Sequence, residues 1–174
     1  RCDAILVLAQ ETWFGHRRTS LWLRARLEPG SMTEKMTPVM TAGDLGSFMA
    51  EAFPEQAHLV VDRLTPDGLV LRLTPRPEDM RPGGSLLGAA IFNLADVAVY
   101  LAVLSRIGAK ALTVTTSASI DYMRKPYPGA DLLAEARLLK IGRSLAVGDA
   151  LIRSEGVEGP VARATMTFSV PPKG

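Results

Sequence analysis

Cysteine and histidine are scarce in this chain: it has one cysteine and two histidines in 174 residues. Cys2 has no second cysteine to pair with, which excludes an internal disulfide and predicts a cytoplasmic protein. His16 and His58 stand in no metal-ligand pattern, so we predict no metal site. The scarcity of histidine also argues against a Ser-His-Asp hydrolase.

Charge is also nearly balanced. The formal net charge is +2 and no RNA- or DNA-binding motif is present, so no nucleic-acid partner is predicted. A content of 47% hydrophobic and 22% charged residues is typical of a globular protein.

We predict one domain over residues 32–174. Residues 1–31 are a predicted N-terminal extension, because Gly30, Ser31 and Met32 resemble a junction introduced by cloning.

Alternating and β-branched segments predict six strands. Leu59–Leu64 and Leu69–Leu73 flank turn residues 65–68 and predict a hairpin. A helix capped by Asp44 is predicted before them, over Leu45–Phe53. Four later segments alternate between apolar and polar residues: Ala111–Met123, Asp131–Leu139, Ser144–Arg153 and Val161–Val170.

Residues 85–107 predict one long helix that is apolar on nearly every face. About 20 apolar residues could also span a bilayer. Asn93 and Asp96 would then lie in the middle of the span, where a carboxylate costs a large free energy of desolvation. We therefore predict a buried helix and no membrane partner. Consecutive strands joined by short turns should pair antiparallel, and the sheet can wrap this helix. The predicted fold class is α+β, a curved antiparallel sheet around a long central helix.

Asp96 carries the strongest chemical signal. Burying an uncompensated acid is costly, and carboxylates in such places serve as general bases and nucleophiles. From the pattern alone, a structural aspartate bonded to nearby backbone is an equal alternative. Asn93 and Tyr100, at i−3 and i+4, share the helix face of Asp96. Gly88 could bring a substrate carbonyl to free amides at the helix start, although glycine more often serves close packing.

Two motifs around Asp96 stand in a fixed order. Residues 81–89 read RPGGSLLGA and residues 93–98 read NLADVA. They resemble the signature of PaaI-type hotdog-fold acyl-CoA thioesterases, members of the thioesterase superfamily, in which the acid follows a glycine by eight residues. Placing Asp96 on that acid puts the glycine at Gly88. Residues 119–126 (SIDYMRKP), 142–147 and 161–165 resemble later family strands, so the match runs in order over residues 44–170.

The resemblance implies the hotdog fold and hydrolysis of acyl-CoA to a free acid and CoA, with no cofactor beyond the CoA of the substrate. It implies Asp96 as general base or nucleophile and the amide of Gly88, with that of Ala89, as the oxyanion hole. It also places a hydroxyl beside the acid, where Thr115 aligns, although β-propensity alone explains a threonine in a strand. Members form homodimers or homotetramers with sites at the subunit interface.

The remaining predicted substrate contacts are polar or charged. Asn93 and Tyr100 are predicted to contact the substrate, with Tyr100 lining the acyl pocket. Three cations at strand ends or turns could meet the CoA phosphates, although solvated surface charge is the more common role of any one such cation: Arg124, Lys125 and Arg143.

One departure from the family pattern leaves two other functions open. Leu87 stands where the family has a histidine, and leucine cannot donate a hydrogen bond. Its presence favours a non-catalytic acyl-CoA binding module over an enzyme, whereas retention of Asp96 argues the reverse. A hotdog hydratase or dehydratase is the other alternative, but such enzymes usually pair an acid with a histidine, and none follows His58.

Overall fold

An antiparallel sheet and one long helix dominate the computed structural model, which describes residues 37–172. The predicted extension, residues 1–31, lies outside the described residues. Two 3₁₀ turns, Pro54–Gln56 and Pro77–Asp79, interrupt the connections. The helices and strands in chain order are α1 Ala42–Ala52, β1 Leu59–Thr65, β2 Gly68–Leu73, β3 Met80–Arg81, β4 Ser85–Leu86, α2 Gly88–Ile107, β5 Val114–Tyr122, β6 Leu132–Ile141, β7 Leu145–Ser154 and β8 Pro160–Ser169.

The main sheet has six strands in the order β1-β2-β6-β7-β8-β5, and all neighbours are antiparallel. Alternate residues of each inner strand face α2, as the pattern predicted; on β6 these are Leu132, Ala134, Ala136 and Leu138. The sheet therefore packs around one helix, which confirms the predicted α+β hotdog class.

The prediction that consecutive strands joined by short turns pair with each other is wrong for β5 and β6. β5 and β6 follow each other but do not pair, because β6 already has β2 on one side and β7 on the other. β5 pairs with β8 instead and forms one edge of the sheet. The connection through Pro126 and Pro128 thus carries the chain from the edge back to the middle of the sheet.

Helix α2 forms the core, and thirteen of its twenty residues are buried. This burial explains a composition that would also suit a membrane span. Gly148 on β7 allows the close approach, since a Cβ there would lie 2.8 Å from Cγ1 of Val99. The predicted helix start at Ser85 is too early, because Ser85 and Leu86 pair with β3 and the helix begins at Gly88.

Helix α1 closes one end of the core with Leu45 and Met49. Its N-cap is Thr41 and not Asp44, the predicted cap. The Thr41 hydroxyl accepts from the amide of Asp44 at 3.1 Å, and the Asp44 carboxylate accepts from the amide of Thr41 at 2.8 Å. This reciprocal capping box starts the helix at Ala42, three residues before the predicted start.

Candidate active site

Asp96 lies near the middle of α2 and faces a cavity of about 370 Å³. The end of α1, the turn Pro54–Gln56, α2 and the residues leading into β5 form its walls. Most of the wall is apolar, and the carboxylate is half-buried at its side. The aliphatic side chains and phenylalanine rings of the lining are Met49, Phe53, Val97, Ala111, Val114 and Phe168.

A strand residue holds the carboxylate. The Thr115 hydroxyl, on β5, donates a hydrogen bond to Oδ1 of Asp96 at 2.8 Å. Burial raises the pKa of Asp96 above its ordinary value, and the Thr115 bond opposes that rise in pKa. A carboxylate with a raised pKa is the stronger base, which suits proton abstraction. The described partner is a side chain on another element, unlike the backbone bond expected of a purely structural aspartate.

Asn93 and Tyr100 lie on the same cavity as Asp96, as their spacing predicted. The Asn93 amide donates to Oε1 of Gln56 at 2.7 Å and ties α2 to the 3₁₀ turn. Tyr100 is 8% exposed, and burial raises the pKa of its hydroxyl. Gln56 was not predicted to be near the site, because a glutamine in a Pro-initiated turn gives no sequence signal of its own.

Gly88 and Ala89 are the first two residues of α2. No carbonyl of the helix faces their amides, so both can bind an anion or a developing oxyanion. A Cβ on Gly88 would lie 3.4 Å from the hydroxyl oxygen of Tyr122, an ordinary to slightly tight contact. Close packing is therefore a weak reason for a glycine here. Leu87 is the N-cap residue and provides no side-chain cap.

A second cavity, of about 420 Å³, opens at this helix start and includes Gly88, Arg124 and Lys125. Arg81, which was not among the predicted residues, also lines it. Arg143 lies elsewhere, on a third cavity beside Ile107 at the far end of α2. Because a twenty-residue helix is about 30 Å long, one chain does not bring Arg143 together with the other two predicted cations.

The acid and the free amides are also apart within one chain. Eight residues along a helix correspond to about 12 Å, and Asp96 and Gly88 open onto different cavities. A single substrate carbonyl cannot meet both groups of the same chain. Within residues 37–172 no cluster of three or more His, Cys, Asp or Glu side chains could hold a metal ion.

Comparisons with known proteins identify the family of the chain. A family model described as the thioesterase superfamily matches residues 83–161. The structure of a candidate thioesterase from Silicibacter sp. TM1040 is 48% identical, with a TM-score of 0.74, over 79% of this chain and 96% of that one. The conserved protein PA5202 from Pseudomonas aeruginosa is 30% identical, with a TM-score of 0.62, over 71% and 96%. No curated protein matches the chain.

A mutant form of the phenylacetic acid degradation protein PaaI from Thermus thermophilus is also similar, at 28% identity and a TM-score of 0.58, over 69% of this chain and 99% of that one. The fold and these comparisons thus define a hotdog thioester hydrolase. The chain belongs to the thioesterase superfamily, as its motifs predicted.

Proposed function

We propose that the chain hydrolyses acyl-CoA thioesters to a free acid and CoA. The observation that carries this proposal is the half-buried Asp96 carboxylate on an apolar cavity, held by the Thr115 hydroxyl. The cavity suits an acyl chain, because its wall is mainly aromatic and aliphatic. No cofactor is required beyond the CoA of the substrate, and the cytoplasm stays our predicted compartment.

Asp96 can act by either of two balanced routes. As a general base it takes a proton from water, which attacks the thioester carbon; the C–S bond breaks and the CoA thiolate takes up the proton from Asp96. As a nucleophile the carboxylate forms a mixed anhydride with loss of CoA, and water then hydrolyses the anhydride. In both routes negative charge develops on the carbonyl oxygen and needs donors such as the Gly88 amide.

The separation of Asp96 and Gly88 favours a site shared by two copies. β5 is an edge strand with one free side, and its residues are exposed on both faces except for Ile120. Unpaired edges of nine residues invite strand addition. Antiparallel pairing of two β5 strands about a two-fold axis would bring the start of one α2 towards Asp96 of the other. We therefore propose a homodimer, or a tetramer built from such dimers.

The CoA part of the substrate is assigned to the cavity at the helix start. Arg124 and Lys125, with Arg81, give it positive charge beside the free amides of α2. Phosphate groups are bound well by such cations, so the amides of Gly88 and Ala89 stay available for the thioester carbonyl. One nitrogen of Arg124 already donates to the carbonyl of Glu158 at 2.8 Å, which leaves its other donors for a ligand.

Release of free thiol from a panel of short, long and aromatic acyl-CoAs tests this proposal. We expect turnover by the wild type on at least one of them and a loss of about a hundredfold or more in Asp96→Asn. Glu51→Gln removes an exposed carboxylate on α1 outside the cavity and is the matched control, expected to keep full turnover. Full turnover by Asp96→Asn on every substrate of the wild type refutes the assigned chemistry.

The same panel distinguishes the two alternatives. Tight binding of acyl-CoA without thiol release would show a binding module, to which the hydrophobic Leu87 in the motif points. Hydration of an enoyl-CoA without thiol release would show a hydratase. The location of Asp96 on an apolar cavity favours an enzyme over a binding module. The cavity has no histidine among its described lining residues, which favours hydrolysis over hydration.

A further inference from the structure

Tyr122, the last residue of β5, contacts the first turn of α2. Its hydroxyl donates a 2.8 Å hydrogen bond to the carbonyl oxygen of Gly88. Tyr122 is 52% exposed, so burial of apolar surface explains only part of its location. The hydrogen bond fixes the relation between the edge strand and the helix start.

The start of α2 has no side-chain cap of its own. A Ser, Thr, Asp or Asn at the N-cap usually holds the first turn by binding its amides, but here the N-cap is Leu87. The first turn is instead held by the Tyr122 hydroxyl of β5, which binds the carbonyl oxygen of Gly88 and not an amide. This arrangement leaves the amides of Gly88 and Ala89 without a backbone acceptor among the described residues and points to a role for the Tyr122 hydroxyl beyond packing.

The bond affects one specific donor. The carbonyl of Gly88 and the N–H of Ala89 belong to the same planar, conjugated peptide group. Hydrogen bonds that share a peptide group strengthen one another, so a donor at the Gly88 oxygen makes the Ala89 N–H a better donor. Ala89 is exposed at the second position of the helix, where its amide has no helix carbonyl to bind.

We infer that Tyr122 is a positioning residue that orients and polarises the Gly88–Ala89 peptide, so that the Ala89 amide is the second oxyanion donor beside that of Gly88. The inference rests on the proposed function, because it adds to the same site. Tyr122 does not contact the carbonyl oxygen of the substrate and affects it only through the Gly88–Ala89 peptide group.

The kinetic test removes the hydroxyl alone. Tyr122→Phe keeps the ring, and we expect kcat on the best acyl-CoA to fall by roughly threefold to tenfold, with KM unchanged. The matched control is Tyr127→Phe, which removes the hydroxyl of a 60% exposed tyrosine outside the site and should leave kcat unchanged. An unchanged kcat in Tyr122→Phe overturns the inference. So does a higher KM at constant kcat, which would assign Tyr122 to CoA binding.

A spectroscopic test needs no substrate. The sequence has three Gly–Ala peptides, at residues 88–89, 108–109 and 129–130. Labelling glycine carbonyls with ¹³C and alanine amides with ¹⁵N therefore gives three correlated NMR signals, two of which are internal controls. We expect Tyr122→Phe to move only the 88–89 signal upfield, in both carbonyl ¹³C and amide ¹⁵N. A stationary 88–89 signal contradicts the polarisation of this peptide.

The outcomes separate this inference from the proposed function. Gly88→Pro removes one donor of the proposed oxyanion hole, so unchanged turnover in that variant contradicts the hole itself. Impaired turnover in Gly88→Pro together with normal kcat in Tyr122→Phe contradicts the role of Tyr122 alone.

Discussion

Replacing Thr115 with valine isolates the electrostatic contribution of its hydroxyl to the acid. Valine has the same shape and suits a strand, so the exchange removes the 2.8 Å hydrogen bond to Asp96 and little else. That bond favours the ionised carboxylate and thereby lowers the pKa of Asp96. Without it the pKa of Asp96 rises, and at a given acidic pH fewer molecules hold the ionised form that the reaction needs.

The expected loss of kcat/KM follows from the free energy of the hydrogen bond between Thr115 and Asp96. A hydrogen bond to a charged acceptor contributes about 1.5–3 kcal/mol, and the lower value applies because Thr115 is exposed. Since about 1.4 kcal/mol corresponds to a factor of ten, kcat/KM of Thr115→Val should be about tenfold lower on the acid limb of the pH profile. On the plateau at higher pH, Asp96 is ionised in both proteins. There we expect kcat/KM of Thr115→Val to be much closer to that of the wild type.

The assay is thiol release from one acyl-CoA between about pH 4 and pH 8, from which the acid limb of kcat/KM is obtained. The acid limb of Thr115→Val should move to higher pH, and Thr115→Ser, which keeps the hydroxyl, should restore it. A loss by the same factor at every pH would show that Thr115 acts by placing Asp96 and not through its ionisation. An unchanged profile would mean that the hydroxyl does not influence the catalytic group.

Three further predictions concern stability and the helix start. Asp96→Asn should raise the free energy of unfolding at pH 7 by on the order of 1 kcal/mol. A raised folded-state pKa means that the contribution of Asp96 to stability falls as pH rises from the ordinary aspartate value through the raised one. Denaturant titrations should therefore show the difference in free energy of unfolding between the variant and the wild type widening over this pH range. Gly148→Ala should cost about 1–3 kcal/mol, because its Cβ meets Val99, whereas Gly46→Ala, with open space in mid-α1, should stabilise by roughly 0.5–1 kcal/mol. Gly88→Pro should lower kcat about a hundredfold or more by removing one N–H, while Gly88→Ala keeps most of the rate.

The backbone of Gly88 makes the proline exchange a clean perturbation. Its preceding residue, Leu87, has φ −65° and ψ 137°, the extended conformation that a residue before proline prefers. The first helical position is also where proline fits best. Circular dichroism and the melting temperature should therefore match those of Gly88→Ala, and a large loss of structure in Gly88→Pro would disqualify the comparison.

The fold could be predicted from the sequence wherever a local pattern decides the structure. The alternation in β6 and the all-round apolarity of α2 located the inner face and the core helix, because burial repeats with the period of the element. The partner of β5 could not be predicted, since it depends on which strand edges remain free after β2 and β7 have paired with β6. Long-range competition of this kind leaves no periodic signal.

The same distinction applies to the site. Asn93, Asp96 and Tyr100 share a helix face, so their common cavity follows from spacing alone. Gln56 and Tyr122 come from other elements, and their contacts with Asn93 and Gly88 depend on how those elements pack. The separation of Gly88 from Asp96 is implicit in helix geometry. Together with the free edge of β5 it supports the proposed site shared by two copies, which the family resemblance also implied.

Complementation between two inactive variants tests the central claim most directly, namely that Asp96 of one copy and Gly88 of another form one thioester site. Asp96→Asn and Gly88→Pro are produced separately and together, and thiol release is measured. In a mixed dimer the intact Asp96 and the intact Gly88 meet in one of the two sites. The coexpressed variants should therefore recover about one quarter of the wild-type rate, because half of the dimers are mixed. Coexpressed protein that forms mixed dimers but stays as inactive as either variant would contradict the account.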